Sequence, residues 1–312
     1  MSEPRPYTYD EFPESKDSTQ GMRTLPKDDS ARTVRYIRDV PYALKDGKQL
    51  HLQILVPNIS RAQVFGAPDD PNETYPLIVY VVGSAWMKQD MAANLPQLAR
   101  FASRGYVIAL TEYRHSGIAS FPAQVQDCLS AVRFMQANAA QYKADPNRTI
   151  LWGDSSGGHT VVMAGVGSDV PEYNSEHDLP PVKLCGVVDY YGPTKIAEMN
   201  DVPSAQDHRE PDSPEGRIIG FLRVPDHFEK SEAMNPMRLI AKEKDVPPFL
   251  ILHGNKDRLV PFRQSVMLYE ALRDAGADAT FYKLEGADHA DPAFWTEGTF
   301  DLVDEFMRRV SR

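Results

Sequence analysis

The sequence predicts an α/β architecture: a mainly parallel central sheet, antiparallel strands at its N-terminal edge, helices on both faces and one long insertion. Three observations carry this. Short apolar runs alternate with segments of helical periodicity, the rhythm of a parallel sheet with crossover helices. The first two strand-like runs are joined by Asp46-Gly47, a hairpin signal, so the sheet starts antiparallel. Between residues 192 and 246 the rhythm breaks into charges and prolines.

Residues 1–30 are rich in Asp, Glu, Ser, Pro and Lys and read as a flexible N-terminal arm before a single domain at 31–312. Val34–Val40 and Gln49–Val56 alternate like paired strands, and 57–76 read as a loop. Leu77–Val82 is a continuous apolar run, as in a strand covered on both faces. A helix is expected over about Met91–Ser103, ended by Gly105, then a strand at Tyr106–Thr111. Phe121–Tyr142 reads as a helix, with Val125, Cys128, Leu129, Val132, Met135 and Ala139 on its apolar face. Thr149–Trp152 and Val182–Val188 are strands, and a helix continues over His159–Gly165. The insertion at 192–246 contains Pro193, Pro203, Pro211, Pro214, Pro225 and Pro236. It predicts short helical fragments at best, in the role of a lid or binding loop. The rhythm resumes with a strand at Pro248–His253, a helix at Gln264–Ala275, a strand at Thr280–Leu284 and a helix over about Ala293–Val310.

Composition narrows the function. The chain has 312 residues, 42% hydrophobic and 25% charged, which is ordinary globular usage with length for a sizeable core. The net charge of −10 comes without a basic stripe, so neither nucleic acid nor an anionic membrane is expected as a partner. The two cysteines, Cys128 and Cys185, lie in apolar runs and suggest neither a disulfide framework nor a zinc site. No apolar stretch reaches membrane-spanning length, and the polar first residues lack a signal-peptide core, so the expected location is cytoplasmic.

The chemistry centres on Gly153-Asp154-Ser155-Ser156-Gly157, which has the spacing G-x-S-x-G. A strand turning sharply into a helix would hold Ser155 on a strained elbow, with glycines where backbone passes close by. A serine hydroxyl needs a base, and the base needs an acid to orient it. In open parallel sheets such groups sit just past strand C-termini. Asp257 follows the strand ending at His253 and is the expected acid. His289 follows the strand ending at Leu284 and is the expected base. Asp189 also follows a strand and is the rival acid. Asp154 and Asp288 adjoin the serine and the histidine, which disfavours the required hydrogen bond. His253 and His159 read as structural. His51 lies in a strand, and His115, His177, His208 and His227 lie in loops. The oxyanion hole is expected from the backbone N–H groups of Ser84, Ala85 and Ser156, with Trp86 lining the substrate site. This machinery needs no metal or organic cofactor.

These motifs resemble those of bacterial α/β-hydrolase carboxylesterases of the feruloyl/acetyl-xylan (carbohydrate) esterase type, near the hormone-sensitive-lipase group. The likeness is carried by Gly83-Ser-Ala-Trp86, Tyr113-Arg114, Phe121-Pro-Ala-Gln124, Gly153–His159, Pro247–Asp257 and Gly286-Ala-Asp-His289, and runs from about Val34 onward. The family loop usually reads His-Gly-Gly-x-Trp; here Val82 replaces the histidine and Ser84 the second glycine. The resemblance implies a serine esterase acting on short acyl groups, acetyl above all, on sugars or oligosaccharides. Asp207-His208 and Pro211–Glu215 of the insertion are candidates to meet a hydroxyl-rich leaving group. Amide cleavage, by an aryl formamidase or small peptidase, uses the same triad and is the alternative. A catalytically retired binding protein is the non-enzymatic alternative.

Overall fold

The computed structural model describes residues 4–8, 10–27, 33–57, 73–174, 182–240 and 246–312. His177 and most of the expected 57–76 loop lie outside the described residues. Eight strands form one sheet in the order β1-β2-β4-β3-β5-β6-β7-β8. They are β1 (Val34–Lys45), β2 (Lys48–Pro57), β3 (Tyr75–Val81), β4 (Val107–Thr111), β5 (Ala144–Asp154), β6 (Gly186–Tyr190), β7 (Phe249–Gly254) and β8 (Ala279–Leu284). β2 pairs antiparallel with both β1 and β4, and every later pairing is parallel. The chain has the α/β-hydrolase fold. At the β1–β2 hairpin both Asp46 and Gly47 have positive φ, as a two-residue hairpin turn requires.

Helices α1 (Leu95–Ala102) and α8 (Glu297–Val310) cover one face, where Leu98, Phe101, Phe300 and Val303 pack on Ile78, Tyr80, Ile150 and Trp152. On the other face lie α2 (Ala123–Ala137), α3 (Ser156–Val166) and α7 (Arg263–Asp274). There Leu129, Val132, Val161 and Leu268 pack on Leu77, Val79, Leu151 and Ile251. The central strands are buried on both faces, which explains their unbroken apolar runs.

Several boundaries differ from the sequence expectation, and three of them show a local cause. The helix expected over Phe121–Tyr142 ends at Ala137; a 3-10 turn, Ala139–Tyr142, follows and closes with left-handed Lys143. β6 starts at Gly186 rather than Val182, because Gly186 is the residue that pairs with Ile150 of β5. The last helix starts at Glu297, after a 3-10 turn at Pro292–Trp295, and is capped by Thr296.

The described residues 192–240 of the insertion fold into short helices α4 (Pro214–Ile218), α5 (Phe228–Ala233) and α6 (Met237–Ile240). It closes its own small core of Ile196, Met199, Ile218, Ile219, Val224 and Met234 around Trp86 and Val260. Backbone bonds pin it to its surroundings: Ala205 N–H donates to Arg258 O (2.7 Å), and Phe121 N–H to Ile218 O (3.0 Å). At the strand C-termini, buried Arg114 donates from Nε and Nη2 to the Asp127 carboxylate on α2. Gln124 donates to Arg114 O (2.6 Å), so Tyr113-Arg114 and Phe121–Gln124 form one structural joint. No helix among the described residues is long and apolar enough to cross a membrane.

Candidate active site

Ser155 sits between β5 and α3 with φ 52° and ψ −125°, a strained backbone for a residue with a Cβ. The glycines of the elbow are required by contact. A Cβ at Gly153 would lie 2.4 Å from Gly157 O, and one at Gly157 would lie 2.0 Å from Val81 O. The strain presents Ser155 at the head of α3, beyond the ends of β3 and β5.

Two other strand ends converge on it. His289 Nε2 is 3.0 Å from Ser155 Oγ, and His289 Nδ1 is 2.7 Å from Asp257 Oδ2. Asp257 Oδ1 accepts from the N–H groups of Leu259 (2.9 Å) and Val260 (2.8 Å). Burial alone would raise the Asp257 carboxyl, but hydrogen bonds from His253 and His289 outweigh it and hold it well below the usual carboxylate range. The acid is therefore ionised, with Nδ1–H of His289 pointing at it and Nε2 free to accept the serine proton. The ring of Tyr191 lies 4.8 Å from that of His289, edge-on, and backs the base.

The rival acids occupy other places. Asp154 Oδ1 accepts from Tyr80 OH (2.6 Å) and Gly83 N–H (2.9 Å), so it anchors the loop opposite the elbow. Asp288 ties the loops of Asp257 and His289 together from outside, accepting from the backbone N–H of Arg258 (3.0 Å) and of His289 (2.8 Å). Asp189 is fully buried beneath the elbow and receives one bond, from Gly192 N–H (3.1 Å).

The oxyanion loop departs from expectation in one donor. Ser84 N–H is not free: it donates to Ser156 Oγ (2.9 Å). The remaining hydroxyls continue the chain, with Ser156 Oγ 3.4 Å from Tyr113 OH, Tyr113 OH 2.8 Å from Ser84 Oγ, and Ser84 Oγ donating to Met87 O (2.7 Å). Serines at positions 84 and 156 thus knit the loop to the elbow helix. Ala85 and Trp86 both have positive φ, and Ala85 N–H has no acceptor among the described residues. Ser156 N–H lies in the first turn of α3, where helix geometry leaves it unpaired. Trp86 is also placed differently from the substrate contact expected of it. It is 2% exposed, edge-on to His159 at 5.3 Å, because the left-handed turn sends its apolar ring under the insertion.

The insertion's polar motifs divide: His208, Ser213 and Glu215 are buried, whereas Asp207, Pro211 and Asp212 are exposed. His208 and Glu215 bury their side chains 3.0 Å apart, Ser213 caps α4, and Asp207 pairs with Arg209. Three roles escaped the sequence reading: His253 as a second partner of Asp257, Tyr113 in the hydroxyl chain, and Asp154 as loop anchor. Only adjacency to site residues signals them in sequence.

Residues 65–272, most of the chain, match the BD-FAE family. The chain belongs to the BD-FAE family. Among relatives of this BD-FAE chain, esterase LipC of Mycobacterium tuberculosis is 27% identical over 278 residues, covering 84% of this chain and 63% of LipC. The chain spans between 51% and 63% of the two M. tuberculosis esterases LipC and LipQ. A truncated form of a carbohydrate esterase from gut microbiota superposes with a TM-score of 0.75 at 28% identity, over 92% of this chain and 99% of that one. A bifunctional GH43-CE protein of Bacteroides eggerthii gives 0.74 at 29% identity, over 92% of this chain and 39% of its own.

Two buried groups titrate in opposite senses. Burial pushes the Asp189 carboxyl up to about 7, partly opposed by the Gly192 N–H. Its unfolded value is about 3.9, so its contribution to stability is full below that pH and is lost as pH rises through about 7. Burial pulls His159 down to about 4, partly opposed by its bond to Met234 O. That contribution is present above the unfolded value of about 6.5 and is lost as pH falls toward about 4. Asp189→Asn keeps the acceptor for Gly192 and removes only the first effect. Urea unfolding at pH 5 and pH 8 is expected to show the variant gaining about 3 kcal/mol on the wild type between the two. Its rate on p-nitrophenyl acetate is expected to stay within about threefold of the wild type's, since Asp189 does not contact His289.

Proposed function

We propose that this chain is a serine carboxylesterase for short acyl esters, with acetyl groups on sugars or oligosaccharides as its substrate class. The observation that carries the reading is the unbroken hydrogen-bonded line Ser155–His289–Asp257, drawn from three strand ends. Ser155 Oγ attacks the ester carbonyl while His289 Nε2 takes its proton. The developing oxyanion is met by the N–H groups of Ala85 and Ser156, with Ser84 N–H joining if Ser156 Oγ yields it. His289 returns the proton to the leaving alcohol, and a water repeats the sequence on the acyl-enzyme. Asp257 stays ionised and steadies the imidazolium. Residues 31–312 act as one catalytic domain. The 192–246 insertion serves as the lid beside the leaving group, held to the acid loop through Arg258 and to α3 by His159 Nε2–H donating to Met234 O (2.9 Å).

Likeness to proteins named esterase and carbohydrate esterase supports ester over amide cleavage and a sugar-bearing alcohol. An ester panel tests it. p-Nitrophenyl acetate, butyrate and octanoate, a feruloyl ester and acetylated xylo-oligosaccharides are compared by kcat/KM, with N-formylkynurenine and a proline-containing dipeptide anilide beside them. Acetyl substrates are expected to lead, with octanoate at least about tenfold lower. Faster turnover of either amide overturns the ester assignment, and feruloyl or octanoyl preference overturns the acetyl one.

A further inference from the structure

Two histidines converge on one oxygen of Asp257, and the proposed reaction uses only His289. His253 Nε2 is 3.1 Å from Asp257 Oδ2, the same oxygen that faces His289 Nδ1 at 2.7 Å. We propose that His253 is a positioning residue of the hydrolytic site, a buried imidazole that locks the acid on its line to the base. This rests on the reading of Ser155, His289 and Asp257 above.

The hydrogen-bond pattern decides the tautomer. Nε2 of His253 faces two acceptors, Asp257 Oδ2 and Val260 O (3.0 Å), neither of which can donate. Nε2 therefore carries the hydrogen. Nδ1 lies 2.7 Å from Ser265 Oγ on α7, whose O–H donates to it in the neutral ring. The ring is 0% exposed, edge-on to Phe262 at 5.5 Å and to Tyr191 at 6.4 Å. It has neither room nor a partner for another orientation. Asp257 then holds four donors, Leu259 and Val260 on Oδ1 and the two histidines on Oδ2, so its plane cannot turn.

Two consequences follow from losing the His253 donor. The carboxylate gains freedom about its last torsion, which spoils the aim of His289 and lowers kcat with little change in KM. Its charge is also shared by fewer donors, so it binds an imidazolium more strongly, and the acidic limb of the kcat profile moves to higher pH. The titratable groups that bear on Asp257 are His253 on β7, His289 after β8 and Tyr191 after β6. The Asp288–Arg258 pair lies on the loops outside.

The test uses the full chain and p-nitrophenyl acetate between about pH 5 and 9, with His253→Phe, His253→Gln, Ser265→Ala and Ser155→Ala. His253→Phe keeps the ring volume and loses the donor; it is expected to lower kcat about 10- to 100-fold, hold KM within about twofold and raise the acidic limb. His253→Gln offers an amide N–H near the lost one and is expected to recover most of that loss. A wild-type kcat and limb in His253→Phe, with Ser155→Ala reduced at least about 10⁴-fold, overturns the proposal and makes His253 plain core. Ser155→Ala activity within about tenfold of the wild type instead overturns the underlying hydrolase reading. If His253→Phe does not fold, Ser265→Ala decides, since it leaves the ring and removes only the hydroxyl that fixes Nδ1. A several-fold kcat loss with the same upward shift supports the proposal, and an unchanged profile overturns it.

Discussion

Replacing Ser155 by alanine is expected to lower kcat/KM on p-nitrophenyl acetate by at least about 10⁴-fold. The substitution removes the oxygen that His289 faces at 3.0 Å and nothing else in the line. Alanine still carries a Cβ, so the strained φ of 52° is neither relieved nor worsened by a change of residue class. Stability is therefore expected to stay within about 1 kcal/mol, and the melting temperature separates lost chemistry from lost fold. Some turnover above water is expected to remain, because the Ala85 and Ser156 N–H groups still polarise a bound carbonyl.

The second large effect is that of Asp257→Asn, expected to lower kcat about 10⁴-fold with a folded protein. Leu259 N–H and Val260 N–H donate to Oδ1, which the amide retains as its carbonyl oxygen. Its NH₂ must then stand where Oδ2 stood, facing His253 Nε2 and His289 Nδ1. Donors would meet donors. His289 escapes by moving its hydrogen to Nε2, and an imidazole protonated there cannot take the serine proton. A stopped-time assay with circular dichroism on the same sample checks both halves. Wild-type kcat in Asp257→Asn would move the acid elsewhere.

Much of this arrangement was readable before any coordinates. The elbow announces itself because sterics at Gly153 and Gly157 leave little choice of residue, and buried parallel strands demand unbroken apolar runs such as Leu77–Val82. Asp257 and His289 stand out in the sequence because each follows a strand end, although strand ends also offer Asp189. What could not be read has a common cause: it depends on contacts between distant segments. Helices α4, α5 and α6 have five, six and four residues, too short to stand on propensity, and exist because Trp86 and Val260 complete their core. The loss of Ser84 N–H to Ser156 Oγ joins residues 72 apart. Trp86 is expected to line the substrate site as a residue of the Gly83–Trp86 loop, and the left-handed turn at Ala85 and Trp86, which sends it inward, has no signature in the sequence. His253 looked like ordinary core, which its burial supports, but burial conceals the N–H that it sends to Asp257.

The most direct test of the central claim is covalent. A fluorophosphonate probe reacts with a serine only where a base removes its proton and an oxyanion site receives the phosphonyl oxygen. Labelling followed by peptide mass mapping is expected to find one adduct, on Ser155, lost in Ser155→Ala and strongly slowed in Asp257→Asn. An unlabelled wild-type protein, or an adduct on another serine that persists in Ser155→Ala, would contradict the account.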